Sequence, residues 1–336
     1  MAPFNINEVK KLLSDSKEIV ITTHVSPDGD AIGSSLALKF YLEKLGHEVQ
    51  VITPDEYPSF LFWLPGHDEV LKYDRQKERC DEKINNAELI FCLDFNTPDR
   101  MAGLESVIVS ASCKKILIDH HQNPEIWTDI MFSDSHASST AELVYKFIEY
   151  LGDEKMLDKK IGECLYAGIV TDTGSFKFST TSAYTHYIAY KIMELHVDTS
   201  KIQNLIYDNT SEDRLRLLGY ALTEKLQIFH EFHTAVIGLT NNELLRFNFK
   251  KGDTEGIVNY PLSIDSVKMS VMVSQKGDDV RLSFRSKDLV PVHEIARDHF
   301  GGGGHINAAG GISFDSVEDT IKKIANLLPS YSKYLC

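Results

Sequence analysis

The chain has 336 residues, room for two domains of ordinary size. Hydrophobic residues make up 43% and charged residues 25%, the balance of a globular chain rather than a disordered one. A formal net charge of -14 argues against a protein that coats long DNA or RNA, whose affinity comes mainly from neutralising phosphates. A small phosphorylated substrate is still compatible, because bound divalent cations reverse the field locally.

The opening, Met1-Ala2-Pro3-Phe4-Asn5-Ile6-Asn7, has no basic segment followed by an apolar one, so no secretory signal is expected. Residues 7–16 read as a short amphipathic helix, and Ile19 to Thr23 as the first strand. The stretch Thr23-His24-Val25-Ser26-Pro27-Asp28-Gly29-Asp30 follows that strand and precedes a helix from Ala31 to Leu45. Gly46 is the expected helix stop, and Glu48 to Thr53 reads as the next strand. A strand, helix and strand in this order predict a parallel sheet. In such sheets, ligands bind beyond the carboxyl ends of the strands. His24, Asp28 and Asp30 are placed there. Two carboxylates separated by one glycine repel each other unless a cation or strong donors neutralise them. The loop therefore reads as half of a two-metal site.

Residues 54–87 are irregular by pattern, interrupted by Pro54, Pro58 and Pro65. Leu89 to Leu93 is fully apolar and ends in Asp94; Lys115 to Ile118 ends in Asp119-His120-His121. Such runs suit strands buried on both faces. Ser139-Thr140-Ala141-Glu142 resembles a helix capping box. The apolar run from Ile161 to Val170 is more helical than alternating and leads to Asp172. Residues from Ala183 to about Leu226 are mostly helical. Strands are expected at Thr234 to Leu239, Lys268 to Val273 and Val280 to Ser286, with helices near Val292 to Phe300 and Val317 to Leu328. No apolar run approaches the roughly 20 residues of a membrane helix. Five cysteines without a CxxC pair fit a reducing cytoplasm, with Cys92 and Cys164 as small core residues.

The acids and histidines gathered in this way are His24, Asp28, Asp30, Asp94, Asp119, His120, His121 and Asp172. Each has a plainer reading by itself. His24 could bond to backbone, Asp28 and Asp30 could cap a helix, and Asp94 or Asp172 could sit in a turn. Four apolar elements each ending in an acid point instead to ends that converge. Carboxylates with a few imidazoles suit Mn²⁺ or Mg²⁺, and the lack of cysteine disfavours structural zinc. A bridging aspartate would hold two ions about 3.5–4 Å apart, the spacing of two-metal phosphoester hydrolysis. The other histidines, including His47, His67, His136, His186 and His196, are assigned to surface or satisfied core positions. In the second half, the run Gly301-Gly302-Gly303-Gly304-His305 lets backbone N–H groups approach an anion. A flexible linker is the plainer reading of it. Arg285 falls on the polar face of its alternating strand and can grip a phosphate through two parallel hydrogen bonds. Arg100, shortly after Asp94, is a weaker phosphate-binding candidate.

His24-x3-Asp28-x-Asp30, Asp94, Asp119-His120-His121 and Asp172 resemble, in order, the motifs of the DHH phosphoesterase superfamily. Gly301 to His305 with Asn307-Ala308-Ala309-Gly310-Gly311 resembles its DHHA1 substrate-binding domain. The likeness covers essentially the whole chain and is nearest to the stand-alone bacterial nano-RNase and pAp-phosphatase subgroup. It implies an α/β fold: an N-terminal parallel-sheet DHH domain over residues 1–190, a helical connector over 191–227 and a smaller α+β DHHA1 domain over 228–336, with a cleft between the domains. It also implies that His24, Asp28 and Asp94 hold one ion, and that Asp30, Asp94, His120 and Asp172 hold the other, with Asp94 shared. Mn²⁺ is the expected ion and Mg²⁺ the other candidate. His121 would face the scissile phosphate as a catalytic donor or acid, and Asp119 would orient a histidine. Arg285, Gly302, Gly303, Gly304 and His305, with Arg100, would bind substrate.

The expected reaction is hydrolysis of short RNA or DNA oligonucleotides to nucleoside 5′-monophosphates, of adenosine 3′,5′-bisphosphate to AMP, or of both. No long nucleic acid and no membrane is expected as a partner, and a homodimer is the candidate assembly. The alternatives are a phosphodiesterase for cyclic or linear dinucleotides and a nucleotide-binding protein without turnover. Inorganic pyrophosphate or polyphosphate would leave a base-binding second domain without a purpose.

Overall fold

The computed structural model describes residues 5–208, 210–250, 252–277 and 279–336. Met1 to Phe4, part of the opening read above, lie outside the described residues. The chain divides into two compact units, Met1–Asn209 and Thr210–Cys336.

The first unit runs α1 (Ile6–Leu12), β1 (Glu18–Thr22), α2 (Gly29–Lys44), β2 (Glu48–Thr53), β3 (Leu71–Lys72), α3 (Lys77–Asn86), β4 (Leu89–Leu93), α4 (Glu105–Ser110), β5 (Lys114–Asp119), β6 (Ile130–Ser133), α5 (Thr140–Leu151), α6 (Lys159–Asp172), α7 (Ala183–Glu194) and α8 (Thr199–Tyr207). Its strands form one parallel sheet in the order β3-β2-β1-β4-β5-β6. The order reverses between β1 and β4, which creates a crevice at the carboxyl ends of those two strands.

The continuous apolar runs follow from burial on both faces. Ile19, Ile21, Phe91, Ile116 and Ile118 pack into the core beneath α2, α5 and α6. Val20, Ile90, Cys92 and Leu117 point to the opposite face, among Cys80, Ile84 and Ile108 of α3 and α4. Helix α2 is buried along almost its whole length, from Gly29 to Leu42, which is why it lacks a polar stripe.

The span 54–87, read as irregular from its prolines, contains α3. That helix is mostly charged and buries only Cys80 and Ile84, four residues apart. Two apolar positions one turn apart are too weak a signal for the periodic pattern to register. His47 is also corrected. It is buried, and neither ring nitrogen has a hydrogen-bond partner among the described residues. Burial and the Lys17 charge push its pKa down, so it is an uncharged imidazole.

The second unit contains α9 (Glu212–Glu224), β7 (Leu226–Phe229), β8 (Thr234–Leu239), α10 (Asn241–Arg246), β9 (Met269–Lys276), β10 (Asp279–Ser286), α11 (Val292–Phe300), β11 (Gly303–His305), β12 (Ala308–Ser313) and α12 (Val317–Leu327). Its mixed sheet has the order β11-β12-β10-β9-β8-β7, with β8 and β9 parallel and the remaining pairs antiparallel. Helices α11 and α12 cover one face, with Ile295, Phe300 and Ile324 in one cluster with Phe284 of β10. Leu217 and Ala221 of α9 cover the other, against Ile237 and Met272.

The glycine run is not a flexible linker. Gly301 ends α11 in the left-handed conformation, and Gly303 to His305 form edge strand β11. A Cβ on Gly302 would lie 1.9 Å from the Gly310 carbonyl oxygen, so close backbone approach requires glycine there. No helix among the described residues is long and apolar enough to cross a membrane. All five cysteines are free.

The ring of Phe91 is fully buried and meets Phe147 of α5 edge to face, at 6.0 Å between centroids. Phe91→Ala is expected to cost about 3–5 kcal/mol, read as a lowered midpoint in urea unfolding. An unchanged midpoint would refute its place in the core.

Candidate metal centre

The loop after β1, Asp94 after β4, the end of β5 and the last turn of α6 all meet at the point where the strand order reverses. Three sets of side chains each bring ligand atoms within 4.8 Å of one another: His24, Asp28 and Asp94; Asp30, His120 and Asp172; and Asp94, Asp119 and His121. Every acid and histidine gathered from the sequence is therefore in this cluster.

Each histidine is oriented by a second contact. His24 Nδ1 lies 2.8 Å from the Val25 carbonyl, which leaves Nε2 facing Asp94 Oδ2 at 3.4 Å. His120 Nδ1 lies 3.3 Å from the Ala137 carbonyl. Its Nε2 faces Asp172 Oδ2 at 3.3 Å, Asp94 Oδ1 at 3.6 Å and Asp30 Oδ2 at 3.9 Å. A backbone carbonyl only accepts, so each Nδ1 carries the proton and each Nε2 is turned toward acids. His121 differs: its Nδ1 is 2.7 Å from Asp119 Oδ1 and 3.8 Å from Asp94 Oδ1. The histidine that Asp119 orients is thus His121.

The acids are placed by backbone. Asp28 caps α2, accepting from the N–H groups of Asp30 and Ala31 through Oδ1 at 3.0 and 3.1 Å. The capping reading of Asp28 is therefore also true, and it uses one oxygen. Asp94 sits at φ 66, a left-handed conformation that is uncommon outside glycine but tolerated by Asp and Asn. Asp172 is at the end of α6, a helix rather than a strand.

One contribution is absent from the sequence reading. The first turn of α5 donates to both buried acids. Thr140 N–H reaches Asp30 Oδ2 at 2.6 Å, Ala141 N–H reaches Asp30 Oδ1 at 2.9 Å, and the Thr140 hydroxyl reaches Asp94 Oδ1 at 2.8 Å. The capping box is only half formed: Ser139 accepts from Glu142 N–H, while the Glu142 side chain accepts from the Ser138 and Thr185 hydroxyls. Three consecutive hydroxyl residues, Ser138 to Thr140, at the start of a buried helix were the available signal.

These donors do not balance the charge. Burial, then the charges of Asp94, Asp172 and Asp28, hold Asp30 well above the ordinary carboxyl range. Burial raises Asp172 to about 6 despite the opposing His120. Burial alone would lower His24 and His120, but the surrounding carboxylates outweigh it, and both are raised. For Asp28, desolvation works upward, but His24 and the backbone donors of Ala31 and Asp30 prevail and its pKa falls. The joint rise of Asp30, Asp172, His24 and His120 marks that part of the pocket as short of positive charge. Oxygen-rich donors with turned imidazoles fit hard or borderline divalent cations.

Arg100 is beside this cluster. Its carbonyl accepts from Val25 N–H at 2.7 Å, its charge opposes protonation of His24, and its Nε is buried without a partner among the described residues. In the second unit, Arg285 is half-buried on β10 opposite Ala308, donating to the Phe284 carbonyl at 2.9 Å. Gly303, Gly304 and His305 lie on the edge strand next to β12.

Filling the cluster with Mn²⁺ should raise the melting temperature, by the equivalent of about 2.7 kcal/mol at a hundredfold excess over the dissociation constant. The gain should shrink from about pH 7 to about pH 5, because raised carboxyl groups take up protons there and protons compete with the ion. Calorimetry with and without chelator checks both. A pH-independent gain would sink the assignment.

Comparison with known proteins places the chain in a family. Residues 18–169 match the DHH family N-terminal domain, and residues 232–330 match the DHHA1 domain. The chain is 29% identical to a probable bifunctional oligoribonuclease and PAP phosphatase of Streptococcus mutans, covering 92% of this chain and 94% of that one. It is 27% identical to the bifunctional oligoribonuclease and PAP phosphatase of Bacillus subtilis, covering 95% and 96%. It is 37% identical to an exopolyphosphatase-related protein of Bacteroides fragilis whose crystal structure superposes with a TM-score of 0.95, covering 100% of this chain and 99% of that chain. The two matched regions fall on the parallel-sheet unit and on the mixed-sheet unit that follows it, and the chain belongs to the DHH phosphoesterase family.

Proposed function

We propose that this phosphoesterase uses two divalent ions, with Mn²⁺ preferred, to hydrolyse short oligonucleotides to nucleoside 5′-monophosphates and adenosine 3′,5′-bisphosphate to AMP. The observation that carries the proposal is the sharing of Asp94. One oxygen faces His24 in the set with Asp28, and the other faces His120 in the set with Asp30 and Asp172. Two ions held by those sets would lower the pKa of water and offset charge on the phosphate.

The chain's own residues would do the rest. His121, with Nδ1 held by Asp119, would in its imidazolium form donate from Nε2 to a phosphate oxygen or leaving group. Arg100 is oriented near His24 and has an unused N–H for a phosphate. Arg285, Gly302, Gly303, Gly304 and His305 would bind the nucleotide. Gly303 and Gly304 of edge strand β11 carry no side chains that would keep an anion from the backbone. The activities for which the Streptococcus and Bacillus relatives are named support the choice of substrate class, and the acidic net charge agrees with a short substrate.

The experiment is a Mn²⁺-dependent hydrolysis panel of adenosine 3′,5′-bisphosphate, a dinucleotide, a five-nucleotide RNA, a cyclic dinucleotide, pyrophosphate and polyphosphate. Turnover of the bisphosphate and short RNA is expected. Turnover of the cyclic dinucleotide alone, or of the inorganic substrates alone, would overturn the reading. Arg285→Ala should raise KM for nucleotides about tenfold to a hundredfold with little change in kcat, the loss of a charge-assisted contact. An unchanged KM removes Arg285 from the substrate site.

A further inference from the structure

Thr140 is fully buried at the first position of α5. Its hydroxyl is not needed by the helix, because Ser139 already caps it by accepting from Glu142 N–H. The hydroxyl instead donates to Asp94 Oδ1, and the same residue's N–H donates to Asp30 Oδ2. One residue thus holds the acid shared by the two donor sets and an acid that belongs to only one of them.

We propose that Thr140 is a positioning residue that fixes the rotation of the Asp94 carboxylate and thereby builds the second ion subsite, that of Asp30, His120 and Asp172. A carboxylate rotates about its Cβ–Cγ bond at little cost. With Oδ1 held by Thr140, Oδ2 stays on His24 and Oδ1 stays toward His120 Nε2. Each carboxylate oxygen has two lone pairs, so a bond from the hydroxyl leaves Oδ1 able to ligate.

The donor is itself held rigidly. Glu142, buried two residues on, accepts from Ser138 and from Thr185 near the start of α7, tying the two helix starts together. On the far side of Asp30, Gly168 of α6 leaves no slack: a Cβ there would lie 2.8 Å from Asp30 Oδ1. Asp30 is therefore fixed by backbone alone, whereas the rotation of Asp94 depends on a side-chain hydroxyl. Substitution at Thr140 tests the second dependence without touching the first.

The inference rests on the two-ion reading, and the test separates them. Mn²⁺ binding to the full chain is followed by calorimetry, and the spin-coupled signal of a Mn²⁺ pair by electron paramagnetic resonance, for the wild type, Thr140→Ala, Thr140→Val and Thr140→Ser. The wild type should bind two ions and show the coupled signal; failure to do so would overturn the two-ion reading and this inference with it. Thr140→Ala should keep the first ion and bind the second about tenfold to a hundredfold more weakly, the effect of losing a contact that orients a ligand. Its coupled signal should appear only at higher Mn²⁺. Thr140→Val, which deletes the hydroxyl at nearly constant volume, should behave likewise, and either variant suffices if the other fails to fold. Thr140→Ser should restore both readouts to within about threefold, because it returns the donor. A two-ion wild type with Thr140→Ala or Thr140→Val binding both ions equally well would overturn the role of Thr140 and leave the two-ion reading standing. Failure of Thr140→Ser to restore binding would assign the effect to packing of the methyl group and overturn it also.

Discussion

Like-charge repulsion among buried carboxylates is the constraint that the first unit is built around. Asp30, Asp94 and Asp172 face a common space, and two of them are held above their ordinary carboxyl range by burial and by one another. The fold does not separate them. It surrounds them with donors: the start of α2 for Asp28, the start of α5 for Asp30 and Asp94, and two imidazoles turned inward by carbonyl contacts. Helix starts carry partial positive charge and unsatisfied N–H groups, so two of them aimed at one cluster are a large fixed contribution. The remaining deficit is what a divalent cation is suited to fill.

The route from sequence to this site passes through the strand order. A parallel sheet with β1 at its centre and β4 beside it brings the ends of non-adjacent segments together, seventy residues apart in the chain at Thr22 and Cys92. Continuous apolar strands are possible because helices cover both faces, and that coverage brings α2, α5 and α6 against the sheet with their ends near the crevice.

The parts of the molecule that were legible in the sequence are those with strong local signals. The strand at Leu89 to Leu93 and the one leading to Asp119 are unmixed apolar runs ending in polar residues, so both the elements and the placement of their acids could be read. The helix after Asp28 has a capping acid and a glycine stop, and it forms as expected. What escaped is what depends on distant partners. Helix α3 is recognisable as a helix only once Cys80 and Ile84 have a sheet to pack on. Strands β11 and β12 are made largely of glycine and alanine, which carry no strand preference of their own. Their pairing is favoured by backbone proximity rather than by side-chain pattern. Thr140 has the ordinary look of a helix start, and only the approach of Asp94, 46 positions earlier, gives its hydroxyl another partner.

The left-handed backbone at Asp94 has an evolutionary consequence. Asn is the residue that best keeps this conformation while discarding the charge. A change of Asp to Asn there would preserve the turn and relieve repulsion among its neighbours, so the ion-free chain would gain stability as it lost the carboxylate that faces both His24 and His120. Selection for robustness and selection for chemistry therefore pull in opposite directions at this one position. Within such a lineage, an inactive descendant that still folds well would be reached in a single step, without any intermediate that cells would clear as misfolded.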